Sequence, residues 1–269
     1  MALRIADLPD ALLADGQPWF TTQEAAARTR RGLGAVHLGL SRLRRAGRVF
    51  SPAEGFYVVV PPDFRSWGVV PGEWFIDGMM QHLHRDYYVG LLSAAEMHGA
   101  AHQAPQAFQV MVDRQLRDRD CGRVHMRFVT SRLVGHVPTV GRAVHTGYVT
   151  VAAPETLAVD LSTFPERAGY WSNVATVLRE LGPLDGAAVA RIAAQQPVPV
   201  AQRLGWLAET FHGQVDLGPL AELVRGARTV LLEPGSRTPI LTTDRTWHLR
   251  VNAVVEPDAQ MIPDVYLPQ

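Results

Sequence analysis

Apolar residues recur at helical spacing near the start of the chain. Ile5, Leu8, Leu12 and Leu13 mark one face of a first helix, which Gly16-Gln-Pro18 ends. In FTTQEAAA, Thr21 and Glu24 have the spacing of a capping box, so a second, alanine-rich helix starts there. That helix stops near RTRRGLG, where Gly32 and Gly34 allow a tight reversal. A third helix is expected from about Ala35 to Arg45, with Val36, Leu40 and Leu43 on its inner face and Gly47 as its cap. RVF and FYVVV flank the turn SPAEG and predict a short hairpin. Helices joined by a tight turn and followed by a hairpin predict a winged helix-turn-helix over residues 1–61.

Pro61-Pro62 neither continues a sheet nor easily opens a helix, so 62–73 is expected to be a linker. Beyond it, WFIDGMMQHL and YVGLLSAAEMHG predict packed helices, while FQVMVD, VHMRFV and AVHTGYVTVA predict three strands. PETLAVDLSTF starts a helix with proline in its first turn. Helices dominate from Trp171 to about Arg225, broken at Gly182-Pro183, Gln196-Pro197 and Gly218-Pro219, and TVLLE and WHLRVNAVVE return to strand. Residues 74–269 therefore read as a larger mixed domain, and the fold class is α+β without regular strand–helix alternation.

Charge changes this picture at one end. The chain is neutral, with 26 basic and 26 acidic residues, yet residues 21–50 hold seven arginines and one acid, Glu24. The face of the third helix opposite Val36, Leu40 and Leu43 carries His37, Ser41, Arg42, Arg44 and Arg45, where a recognition helix would meet the major groove. Thr22, Arg30, Arg31 and Arg48 lie where flanking phosphates would run, and complete the candidate DNA-binding set. The same cluster fits a solvated basic face on a protein-interaction module. A second basic stretch, 113–132, interleaves acids in DRQLRDRD and reads as a self-compensated loop.

Every basic residue apart from histidine is arginine, and the absence of lysine excludes a P-loop, a kinase site and Schiff-base chemistry. The single cysteine, Cys121, allows no intrachain disulfide, and no signal sequence or membrane-length apolar run is found; both point to the cytoplasm. His98 and His102 stand at the spacing of two metal ligands on a helix, but Gly99 occupies the place of a zincin glutamate. His82 and His84 read as surface or core residues. Ser236, Asp244, Glu256 and Asp258 trace the outline of a nucleotidyltransferase magnesium site, though Thr246 stands where the partner of Asp244 is needed. No cofactor, metal or catalytic residue is expected. A DNA-tethered metal-dependent nuclease or nucleotidyltransferase is the alternative, and a module that contacts a toxin or RNA directly is a third reading.

The basic helix-turn-helix ending in GFYVVVPPDFRSWG, followed by YYVGLLSAAEMHGAAHQAPQAFQVMVDR, resembles the AbiEi family of antitoxins and regulators from abortive-infection type IV toxin–antitoxin systems. VAAPETLAVDLSTFPERAGYWSNVATVLREL and WHLRVNAVVEPD are similar to the family's C-terminal half. The resemblance implies an autorepressor that binds inverted repeats in its own promoter. It also implies antagonism, without a stable complex, of a nucleotidyltransferase-like toxin encoded next door. The wing SPAEG departs from a phosphate-gripping wing, since it carries Glu54 and no basic residue. With no coiled coil or long apolar stripe, the chain is expected to be a monomer that pairs on DNA.

Overall fold

A computed structural model describes residues 3–101 and 104–258. The chain divides into two compact units, Met1–Ser93 with Pro105–Ala152 and Ala94–Ala104 with Ala153–Gln269. Both are assembled from separate stretches of sequence. The secondary structure is mixed α+β.

The first unit opens with α1 (Leu8–Ala14), β1 (Trp19–Thr21), α2 (Thr22–Thr29), α3 (Leu33–Arg45), β2 (Val49–Ala53) and β3 (Phe56–Val59). The capping box forms as its spacing predicts. The Glu24 N–H donates to Thr21 Oγ1 at 3.2 Å, and the Thr21 N–H donates to Glu24 Oε2 at 2.6 Å. Val36, Leu40 and Leu43 are buried and share a core with Leu8, Leu12, Phe20 and Ala25. The reversal between α2 and α3 does not use its glycines as expected. Arg30 takes the left-handed conformation at φ 53°, whereas Gly32, at φ −65°, is the N-cap of α3. The strand β1 has no counterpart in the sequence reading; it pairs antiparallel with β3 to give the sheet order β1-β3-β2. Three residues are too few to show an alternating pattern.

Residues 62–73, expected as a linker, hold short 3-10 turns at Pro62–Phe64 and Gly72–Trp74. Val69 and Val70 are buried, and Phe64 meets Trp67 and Trp74 edge-on at 5.6 and 4.9 Å. Trp74 in turn stacks on His145 at 4.2 Å, and the segment lies within the first unit, which extends to Ala152.

The unit continues through α4 (Ile76–Leu83), β4 (Tyr87–Val89), α5 (Leu91–Met97), β5 (Phe108–Val112), β6 (Arg119–Cys121), β7 (Val124–Thr130), β8 (Thr139–Val144) and β9 (Gly147–Ala152). The six strands lie in the order β6-β7-β5-β4-β9-β8, with β5–β7 and β4–β9 parallel and the other pairs antiparallel. Two expectations change here. YYVGLLSAAEMHG is strand then helix, because Tyr88 and Val89 are buried in a central strand whose apolar run lacks alternation. AVHTGYVTVA is a hairpin, turned at His145 and Thr146.

The second unit is mainly helical: α6 (Pro154–Thr163), α7 (Tyr170–Glu180), α8 (Gly186–Ala193), α9 (Val198–Leu207) and α10 (Gly218–Val224). Helix α6 is buried from Thr156 to Ser162, with α7, α8 and α9 packed around it. The break expected at Gly218-Pro219 is where α10 opens, since a missing N–H costs nothing in a first turn. A small sheet, β10 (Val230–Leu231), β11 (Thr242–Asp244) and β12 (Leu249–Val251), completes the unit in the order β10-β12-β11. Trp247 is its main anchor, 1% exposed. A Cβ at Gly205 of α9 would stand 2.1 Å from the Trp247 ring, so only glycine admits the indole. Gln202 Nε2 donates to the Trp247 and His248 carbonyls at 3.2 and 3.0 Å, and Trp247 Nε1 donates to Glu209 Oε2 at 2.6 Å.

Helix α9 runs into a π turn, Ala208–His212. His212 Nδ1 donates to the Leu178 carbonyl at 2.8 Å. Burial pushes its pKa below the ordinary histidine value, outweighing backbone carbonyls that favour the charged form. The folded state thus prefers the neutral ring. As pH falls below about 6.5 the unfolded chain takes up the proton first, and stability is lost. The thermal midpoint is expected to hold above about pH 7 and to fall as the pH drops below about 6.5. A His212→Asn variant, whose amide still donates to Leu178, should show a shallower fall; an equal one would clear His212 of the effect.

Candidate nucleic-acid interface

Helix α3 is amphipathic in the sense the sequence predicts. Its buried side is Val36, Leu40 and Leu43, and no acid lies in its first turn. His37, Arg42, Arg44 and Arg45 are exposed on the other side, and Ser41 is half-buried beside them. Arg45 Nη2 donates to Ser41 Oγ at 3.3 Å, one turn along the same helix. Arg30 and Arg31 are exposed at the turn before α3, where the left-handed backbone of Arg30 reverses the chain.

Partners separate the arginines into two groups. Arg28 donates to Asp15 Oδ2 at 2.5 Å and to Gln17 Oε1 at 2.7 Å. Arg48 lies 2.6 Å from Asp10 Oδ1, donates to the Ala6 carbonyl at 2.7 Å, and is only 23% exposed. Among the described residues, Arg30, Arg31, Arg42 and Arg44 form no ion pair with a carboxylate. A cation already held by a carboxylate gains less from a phosphate, so within residues 21–50 the free charge lies on α3 and the turn before it.

Two sequence candidates, Arg48 and Thr22, have partners within the protein. Arg48 serves as a tie between α3's end and the start of the chain. Thr22 is buried, with its N–H donating to the Gly55 carbonyl at 2.9 Å and its hydroxyl turned towards the same oxygen. Gly55 belongs to the tip of the β2–β3 hairpin. The tip is also held from α4, where His82 Nε2 donates to the Glu54 carbonyl at 2.8 Å and the His82 ring meets Phe56 at 5.5 Å. Its only charged residue, Glu54, is acidic, and the backbone is pinned from two sides.

The second basic stretch is paired locally in part. Arg127 lies 2.9 Å from Asp120 and 3.7 Å from Asp118, His125 is 2.8 Å from Asp120, and Arg114 pairs with Asp113 at 3.0 Å. The hydrogen bonds from His125 and then Arg127 hold the Asp120 carboxyl below its usual range. The interleaving is thus compensated only in part: among the described residues Arg117, Arg119 and Arg123 form no ion pair, and Arg123 lies over the Trp67 ring at 5.5 Å.

Among the described residues, no three His, Cys, Asp or Glu side chains gather closely enough to hold a metal ion. Asp244 Oδ1 accepts from the Trp247 N–H at 2.9 Å and so shapes a turn. The backbone at Glu256 and Asp258 is tied to α7 through Ser172 Oγ and Thr176 Oγ1, at 3.2 and 2.9 Å, and Arg179 donates to the Asp258 carbonyl. Of the proposed histidine pair, His102 lies outside the described residues. No helix among the described residues is long and apolar enough to cross a membrane.

Residues 88–210, from the middle of β4 into the π turn after α9, match the family model of the AbiEi antitoxin C-terminal domain. That segment is similar to the C-terminal domain of AbiEi antitoxins. No curated protein matches the chain in sequence. Among solved structures, the RV2827C protein from Mycobacterium tuberculosis is similar with a TM-score of 0.67 at 14% identity, over 93% of this chain and 92% of that one. At that identity the likeness speaks for a shared fold. The AbiEi match begins inside the first unit and ends inside the second, so the matched segment does not coincide with either compact unit.

The residues missed from sequence lie on α3 itself. Leu33 and Leu38 are each 54% exposed among the arginines, and Gly34 lies between them. The signal was the absence of a polar residue at positions a solvated helix face normally fills with one.

Proposed function

We propose that this protein is a DNA-binding autorepressor as well as an antitoxin, acting in the cytoplasm. Residues 1–61 work as a winged helix-turn-helix that lays α3 in the major groove of inverted repeats in its own promoter. The AbiEi domain counters a nucleotidyltransferase-like toxin without forming a stable complex with it. The observation that carries the DNA reading is the exposed, unneutralised set Arg42, Arg44, Arg30 and Arg31, beside Arg28 and Arg48, whose charge is spent internally. With the hairpin tip acidic and pinned, helix α3 and the preceding turn make the phosphate contacts.

One recognition helix discriminates modestly, at about 1–3 kcal/mol per good base pair contact. Two copies on an inverted repeat multiply that selectivity, with centres about 34–36 Å apart or a multiple of it. The protein is therefore expected to be a monomer that binds its promoter cooperatively. Footprinting of the DNA upstream of its own reading frame should give two symmetry-related patches. The log–log salt slope should be about −4 to −6, at about 0.9 per phosphate contact. A salt-insensitive association, or a single asymmetric patch, overturns the model.

A further inference from the structure

Resting on the reading of α3 as a recognition helix, the geometry points to what that helix reads: we propose that Leu38 packs on the C5-methyl group of a thymine in each half-site. Gly34, one turn earlier, leaves room for the helix to approach the bases. Gly34, Leu38, Ser41 and Arg45 follow one another at helical spacing on the side away from the buried Val36, Leu40 and Leu43.

A single exposed leucine is ordinary on a soluble protein. The context of Leu38 is not. It lines an open groove with Arg31, Arg42 and Ala35, across from Ile5 and Ala6. Cations therefore border an apolar patch. A surface that bound only phosphate would gain nothing from leucine there, whereas the thymine methyl is the one apolar feature on the edges of the bases in the major groove. Arginines on either side can take phosphates or guanine edges at neighbouring steps.

The glycines of α3 give a second, independent argument. A Cβ at Gly39 would stand 2.5 Å from Ile5 Cγ2, so that glycine is explained by internal packing. Gly34 lies in the first turn of the helix without a positive φ, and a Cβ there would meet nothing within 4 Å. Neither backbone conformation nor packing requires glycine at this position, and alanine would favour the helix by about 1 kcal/mol. A residue that is worse for the fold and faces outward beside Leu38 makes sense where another backbone or base must come close.

The test uses the full chain and a duplex that it selects from a randomised library. Thymines of the selected half-site are replaced one at a time by deoxyuridine, which removes only the methyl group. One replacement per half-site is expected to weaken the wild type by about fourfold for each half-site, the scale of one buried methyl, and so by roughly fifteenfold over the pair. Leu38→Ala should lose a similar factor on the thymine duplex and become indifferent to that same replacement. Gly34→Ala should raise the thermal midpoint while weakening binding by about tenfold, the scale of one lost base contact. If Leu38→Ala is as sensitive to deoxyuridine as the wild type, or no replacement matters, the thymine assignment is overturned while DNA binding stands. If the chain enriches no duplex at all, both fail together.

Discussion

Replacing Arg42 and Arg44 together by alanine is expected to weaken promoter binding by on the order of a hundredfold or more, since each charge-assisted contact contributes about 1.5–3 kcal/mol. The log–log salt slope should fall in magnitude by about 2, one for each lost phosphate contact. Both side chains are exposed and neither forms an ion pair, so the thermal midpoint should stay nearly constant. The pair Arg28→Ala and Arg48→Ala should behave in the opposite way. These guanidiniums hold Asp15 and Asp10, so their loss should lower stability slightly and leave most of the DNA affinity intact. Binding measured by fluorescence anisotropy over a salt series, with melting curves of the same samples, separates the two patterns. Normal binding by the Arg42/Arg44 variant would place the DNA site elsewhere.

Trp247→Ala is expected to cost about 3–5 kcal/mol, the range for emptying a large buried aromatic site. The indole fills the space over Gly205, and its N–H is satisfied by Glu209. Little can collapse into the gap, because the facing helix has no side chain at that point. The AbiEi family match ends at residue 210, so the residue that seals its last helix comes from outside the matched segment. Chemical denaturation should show the loss in the midpoint with an unchanged slope. A loss below about 1 kcal/mol would mean that the site relaxes and that Trp247 is no anchor.

How much of this was legible in the sequence depended on whether the information was local. The capping box of α2 and the inner face of α3 rest on residues a few positions apart, and both stand where the spacing puts them. The strand β4 did not show itself, because a central strand buried on both sides loses the alternation that marks an edge. The turn between β8 and β9 falls at His145 and Thr146, which carry no strong turn signal, so two strands read as one. The candidate interface divides in the same manner. That α3 is basic is plain from composition, but that Arg48 is already committed depends on Asp10, far back in the chain. Thr22 reads as an available hydroxyl until the hairpin carbonyl of Gly55 is placed against it. Gly34 looked like a turn residue, and only the empty space around it gives it another meaning.

The interleaving of the two units has a consequence for the order in which the protein can form as it is synthesised. Strand β4 needs β5 on one side and β9 on the other, so the first unit cannot close until Ala152 has emerged. Yet Ala94–Ala104, made long before, belongs to the second unit and must wait for Ala153 and beyond. A ribosome stalled anywhere between these points holds an incomplete sheet and a stretch of chain whose partners do not yet exist. Neither unit can mature independently at the pace of translation, and a premature stop in that interval leaves the cell with neither one.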